Sequence, residues 1–261
     1  MTNFPRAKQF YQSVSLALFD PLALMLRWRG IPYFIRNVRR WRRENDDPAF
    51  DISLSDVLYA SYDRFESAGS ARGHYFHQDL WAARIIYERG TRSHVDVGSR
   101  LDGFVAHLLP FCRVRYVDVR SLDAEIEGLE FIQGSILEMP FADCSIESLS
   151  CLHVLEHIGL GRYGDEIAPQ GYLRAAAELS RVLAGGGQLL IGTPVGRERM
   201  CFDAHRVFDP ERIVRLFRTL RLREFSFIDD SGTQVIQNAS WEDARRCNYG
   251  CGLFVFEKVD E

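Results

Sequence analysis

The chain has 261 residues, 46% apolar and 26% charged, with a formal net charge of −4. That composition suits one large α/β domain plus an appendage and excludes a disordered chain. The charge is uneven: residues 1–50 carry nine Lys/Arg against four Asp/Glu and the remainder 23 against 32, so the acidic main body offers no extended groove for nucleic acid.

Six cysteines form no C-x-x-C pair, and free thiols are expected. The apolar run Val14–Leu26 is cut by Asp20-Pro21, so neither a signal peptide nor a membrane span is expected. The chain reads as cytoplasmic. Within residues 13–43, seven arginines interleave with Trp28, Tyr33, Phe34 and Trp41. Two readings fit: helices packing an apolar face on the main domain, or a peripheral contact with an anionic membrane surface. Polar and helix-breaking residues from Glu44 to Pro48 close this basic helical appendage, placed at 1–50, and the main domain is placed at 51–261.

In the main domain a helix is predicted over Tyr75–Arg89, stopped by Gly90, then a strand over Ser93–Val97. A short helix spans Asp102–Leu109. Strands follow at Val114–Val117, Leu129–Ile132 and Ile146–Leu152. The glycine-rich stretch Gly159–Gly171 reads as a lid carrying Tyr163 and Asp165. An amphipathic helix spans Tyr172–Leu183, capped by Gly185-Gly186-Gly187 before a strand at Gln188–Ile191. Arg197 and Arg199 follow that strand. A helix at Pro210–Leu220 precedes late strands at Arg223–Ile228 and Leu253–Phe256, with Trp241, Cys247 and Cys251 packing between them. Alternating strands and helices predict a doubly wound, Rossmann-like and mostly parallel sheet with an antiparallel C-terminal edge.

Asp96-Val97-Gly98 ends the first strand in a carboxylate and a glycine turn. That order lets a backbone approach a nucleotide-like ligand at a helix N-terminus. Asp118, ending the next strand, is placed to hold vicinal hydroxyls. After the fourth strand, His153, Glu156 and His157 fall at i, i+3 and i+4. A helix there puts all three on one face, where with His205 they can ligate a divalent ion. General-base work by His153 or His157, or a structural role, fits the same residues. Neither G-x-S-x-G nor G-K-[ST] occurs.

The series Asp96-Val-Gly98, Asp118, Gly134-Ser135, Leu155-Glu156-His157-Ile158 and Leu183-Ala184-Gly185-Gly186-Gly187 resembles the class I S-adenosylmethionine-dependent methyltransferases. The wording HVDVGSRLDGFVAHL, SLSCLHVLEHIGLGRYGD and AHRVFDP is similar to an uncharacterised methyltransferase-like domain-of-unknown-function family associated with surface-polysaccharide genes. The resemblance implies that Asp96 and Gly98 meet the methionine part of S-adenosylmethionine, with Ser99, Arg100 and Gly103 in the same cofactor-binding turn. It implies Asp118 at the ribose and Ser135 near the adenine. The chain departs from the family turn at Arg100 and Asp102, where glycines are usual. Those side chains fill the methionine space, as in a binding or scaffold module without cofactor, or Arg100 pairs with the cofactor's carboxylate.

The His/Glu cluster also resembles the metal-dependent small-RNA 3′-terminal 2′-O-methyltransferases, with His153 where their first Glu stands. This implies a divalent ion (Mn, Mg or Zn) gripping a diol. Together the resemblances imply O-methylation of a sugar or glycan-precursor hydroxyl.

Overall fold

The computed structural model describes residues 21–60, 63–65, 69 and 71–259. The predicted N-terminal segment up to residue 20 lies outside them. The chain falls into two compact units, Met1–Ser70 and Ala71–Glu261.

In the first unit the described part of the basic segment is a helix, α1 (Pro21–Glu44); the rest of the expected helix pair lies outside the described residues. The helix runs on through Pro32, which removes a single rung of the ladder. Short 3₁₀ turns follow. Trp41 Nε1 donates to the Phe50 carbonyl at 3.0 Å, and Phe34 meets Tyr59 edge-on at 5.3 Å. Trp28, Ile35 and Trp41 stay exposed beside Arg36, Arg39, Arg40 and Arg43. No helix among the described residues is long and apolar enough to cross a membrane.

The second unit is a seven-stranded sheet in the order β3-β2-β1-β4-β5-β9-β8. Its parallel strands are β1 (Ser93–Val97), β2 (Arg113–Asp118), β3 (Leu129–Gln133), β4 (Ile146–Leu152) and β5 (Leu183–Val195). β8 (Arg221–Ile228) and β9 (Gly250–Glu257) form the predicted antiparallel edge. A small hairpin not expected from sequence joins β6 (Arg199–Cys201) to β7 (His205–Val207).

Helices cover both faces. α2 (His74–Glu88) places Trp81, Ala82 and Ile86 on one face together with Phe104 and Leu108 from the turn after β1. On the other face α4 (Gly171–Val182), α5 (Pro210–Leu216) and α6 (Trp241–Arg246) supply Ala175, Leu179, Ile213 and Ala244. Because side chains alternate along a strand, Val95 and Val97 join the α4 side while His94 and Asp96 turn toward α2.

Two local expectations change. The segment after β1 is a π-helical turn, Leu101–Val105, running into a single α-turn, α3 (Ala106–Leu108). The glycine run Gly185–Gly187 does not end a helix; it is a bulge inside β5, where pairing jumps from Ile146–Leu183 to Ser148–Gln188. A Cβ at Gly187 would stand 2.7 Å from the Ala184 carbonyl oxygen, so only glycine fits the kink.

Candidate functional site

Strand order reverses between β1 and β4, and a crevice opens beyond the carboxyl ends of the strands at such a switch point. Two adjoining lobes occupy it, of about 680 and 1130 Å³ with their mouths included. Gly98, Arg120, His153, His157 and Tyr163 line both.

The first lobe is mainly apolar, walled by Val119, Ile136, Leu137, Val154 and Ile158, with Asp118 and Ser135 at its polar edge. Gly98 sits at φ 66, in the left-handed region, and a Cβ there would press to 3.1 Å on Val154. Asp118 is buried and fully engaged. Its oxygens accept the Arg120 backbone N–H at 2.9 Å, Arg120 Nε at 3.0 Å, an Arg120 terminal nitrogen at 2.7 Å and the Tyr116 hydroxyl at 3.0 Å. Burial works against its charge, but these donors outweigh burial and hold Asp118 below the usual carboxylate range.

The second lobe is polar and aromatic, lined by Tyr75, Arg100, Glu156, Arg162, His205 and Tyr249. Arg100 does not plug it. Its guanidinium lies over the Tyr75 ring at 4.9 Å and pairs with exposed Asp102 at 3.2 Å.

Asp96 and Gly103 do not line either lobe, contrary to expectation. Asp96 is fully buried and accepts Ser99 N–H at 3.0 Å, Ser99 Oγ at 2.6 Å and Ser150 Oγ at 2.5 Å, so it braces the turn from inside. Burial pushes its pKa up to about 6 against those bonds. Gly103 packs on α2, where a Cβ would overlap Asp79 Oδ2. Ser99 lines the polar lobe while its hydroxyl faces inward.

Behind Asp96 lies buried His94, with Nδ1 and Nε2 each 2.8 Å from Ser148 and Ser150. Since Ser150 gives its proton to Asp96, it accepts from His94 Nε2–H, and Ser148 donates to Nδ1. Burial lowers the His94 pKa to about 3.

His153, Glu156 and His157 come together, but on no helix. His153 holds a positive φ of 55, and a single 3₁₀ turn, Leu155–His157, follows. His153 Nδ1 donates to Glu156 Oε1 at 2.7 Å, and Thr193 donates to Oε2 at 3.3 Å. Burial opposes charge on His153, but Cys251 and Glu156 outweigh it and raise its pKa. His157 Nδ1 lies 2.7 Å from the Ala204 carbonyl, which can only accept, and 3.2 Å from an Arg162 nitrogen, which can only donate; the shorter contact favours the ring proton on Nδ1 and the lone pair on Nε2. Burial lowers the His157 pKa.

The expected four-ligand set of His153, Glu156, His157 and His205 does not gather. Both Glu156 oxygens are taken, His157 Nε2 stands 3.8 Å from Oε1, and the His205 ring packs on Tyr249 at 4.9 Å.

The Gly159–Gly171 loop closes on itself, with Asp165 accepting the N–H groups of Gly159, Gly161 and Tyr163. This carries Tyr163 to His157, ring to ring at 5.7 Å, and under the Arg120 guanidinium at 4.9 Å. Arg197 and Arg199 line neither lobe. Buried Arg206 escaped the sequence reading; it donates to the Glu156, Ile158 and Pro169 carbonyls and ties the turn to the loop. Apolar Val207 and Phe208, which follow it, gave the only hint of its burial.

Residues 140–245, under half of the chain, match the family described as Caenorhabditis protein of unknown function, DUF268. A search of curated proteins finds no match. Among solved structures, the chain is similar to the [4+2]-cyclase SpnF, at 13% identity and TM-score 0.51, over 70% of this chain and 82% of that one. It is also similar to the Burkholderia thailandensis 1,6-didemethyltoxoflavin-N1-methyltransferase, solved with bound 1,6-didemethyltoxoflavin and S-adenosylhomocysteine. There the identity is 15% and the TM-score 0.52, over 70% and 79% of the two chains. At such identities the likeness speaks to fold, and these two relatives run different reactions. With its strand order and antiparallel edge, the second unit has the class I methyltransferase fold.

Proposed function

We propose that this protein is an S-adenosylmethionine-dependent O-methyltransferase acting on a hydroxyl of a sugar or glycan precursor. The observation that carries this reading is the two-lobed cleft, an apolar lobe ending in a buried carboxylate joined to a polar, aromatic one. The residues present fit the cofactor. Val119, Ile136, Leu137 and Ile158 suit an adenine, Asp118 a ribose diol, and the Gly98 turn a close backbone approach, where a side chain would meet Val154. For the diol to reach Asp118, the half-exposed Arg120 arm has to swing away.

When bound, the cofactor supplies an electrophilic methyl group. The chain's own part is to hold an acceptor and take its proton. Tyr75, Tyr163 and Tyr249 line the lobe that would take a sugar ring, and Arg100 and Arg162 offer donors. His157 is the base we assign: it is neutral, fixed by Ala204, and carries a free Nε2 lone pair to receive the hydroxyl proton. His153 is engaged on both ring nitrogens, by Glu156 and Cys251. Peripheral membrane contact through exposed Trp28, Trp41 and the arginines of α1 accords with an acceptor carried on lipid.

A second reading, a binding module that keeps the fold without the cofactor, is favoured by one observation: Arg120 occupies both oxygens of Asp118. Calorimetric titration with S-adenosylhomocysteine separates the two. Micromolar binding lost in Asp118→Ala supports the methyltransferase, and no binding supports the module.

A further inference from the structure

Three donor atoms from three distant segments meet beside the cleft. His74 opens α2, His153 follows β4, and Cys251 is the second residue of β9. One donor atom from each lies within 4.8 Å of the other two. Cys251 is fully enclosed, His153 nearly so, and His74 half-buried. Among the described residues this is the group so arranged.

Its orientation is fixed from behind. Glu156 takes the Nδ1–H of His153 at 2.7 Å, which turns Nε2 toward the Cys251 sulfur at 3.5 Å. A carboxylate behind an imidazole is the usual partner of a metal-binding histidine, because it sets the ring and raises its basicity. His74 is hydrogen-bonded to the Tyr249 backbone and stacks on the rings of His153 and Tyr249, at 5.7 and 5.2 Å. Tetrahedral zinc, with bonds of about 2.3 Å to sulfur and about 2.0 Å to nitrogen, sets a nitrogen–sulfur edge of roughly 3.6 Å. The His153–Cys251 pair already has that edge.

We propose that His74, His153 and Cys251 form a binding site for Zn²⁺ or a similar borderline ion. One thiolate and two imidazoles favour such an ion over Mg²⁺ or Ca²⁺, which prefer oxygen. On binding, the proton that the Cys251 sulfur and His153 Nε2 share leaves to solvent, so that the thiolate and the neutral imidazole nitrogen both ligate. Three protein ligands leave a fourth position, and His153, Tyr75 and Tyr249 line the polar lobe, so that position belongs to the cleft. The site touches the adenine-side lobe only through His153 and does not rest on the methyltransferase reading.

The test uses the full chain, stripped with chelator and titrated with Co²⁺. One equivalent should bind with a near-ultraviolet thiolate-to-cobalt charge-transfer band, and Zn²⁺ should displace it. Cys251→Ser should abolish the band. His74→Ala, a change at a half-buried helix start, should weaken binding at least about tenfold with the circular dichroism unchanged. His205→Ala should leave band and affinity as they are. A folded wild-type chain without the band overturns the site and leaves a plain His153–Cys251 hydrogen bond in its place. So does a band that keeps full affinity in His74→Ala, which remains decisive even where Cys251→Ser does not fold. S-adenosylhomocysteine binding to the stripped protein is read separately, so the failure of either idea is distinguishable.

Discussion

Arg120 closes on Asp118 through Nε at 3.0 Å and a terminal nitrogen at 2.7 Å, and lies over the Tyr163 ring at 4.9 Å. The pair stands where the two lobes of the cleft meet. A ribose diol and this guanidinium compete for the same oxygens. With the Arg120 side chain 56% exposed, the ion pair is worth only about 1 kcal/mol. Arg120→Ala should therefore tighten S-adenosylhomocysteine roughly fivefold, and Asp118→Ala should remove binding, both read by calorimetry. Weaker binding in Arg120→Ala would mean that the arginine holds the ligand and does not block it.

His157 is held neutral with Nε2 free. His157→Gln should cost turnover of a methylated sugar acceptor about a hundredfold or more while S-adenosylhomocysteine affinity stays within twofold. Because burial lowers its pKa, the wild-type rate should stay level through neutral pH and fall only below the ordinary histidine range. A His157→Gln variant of full activity moves the base elsewhere.

His94 makes folding sensitive to acid. Its pKa is about 3 in the folded chain against an ordinary 6.5, so the unfolded chain takes up the proton first. Stability is full above pH 6.5 and falls as the pH drops toward 3. That is about 2 kcal/mol lost between pH 6.5 and 5. Asp96, raised to about 6, acts the other way: the folded state binds its proton first, which returns stability between pH 6 and 4. Urea unfolding of chelator-treated protein, wild type against His94→Asn, measures the net slope. The variant should lose the acid-destabilising part, and identical slopes would contradict the assignment.

The loop carrying Tyr163 depends on Gly159. It sits at φ 76, and a Cβ there would overlap the Ala168 carbonyl oxygen. Gly159→Ala should destabilise by about 2 kcal/mol or more and expose residues 159–171 to protease while the sheet core persists. An unchanged proteolysis pattern would show that the loop does not need this turn.

Helix α1 should bind vesicles rich in anionic lipid and ignore zwitterionic ones, since Arg36, Arg39, Arg40 and Arg43 stand beside exposed Trp28 and Trp41. Arg39→Glu with Arg43→Glu should reduce sedimentation with the vesicles at least about tenfold. Equal binding to both lipids would remove the membrane proposal.

Local pattern made the sheet legible. Ser93–Val97, the strand ending at Asp118, and Ile146–Leu152 stand where β-branched and apolar runs put them. Gly98 and Asp118, read from their positions at strand ends, line the cleft, as does Ser135, which the family resemblance implied. What escaped was non-local. Asp96 looked outward in sequence, but Ser150, 54 residues away, draws it inward. His153, Glu156 and His157 have helical spacing, yet the chain turns at once after β4 and spends one residue in the left-handed region. His74 and Cys251 meet His153 only because α2 and β9 flank β4 and β5 in space, and no sequence spacing encodes that.

The most direct test of the methyltransferase account is calorimetric titration of the full chain with S-adenosylhomocysteine. The account predicts one site of micromolar affinity in the wild type, tighter in Arg120→Ala and absent in Asp118→Ala. No heat of binding in either the wild type or Arg120→Ala would contradict it, and would leave the cleft to a binding module built on the same fold.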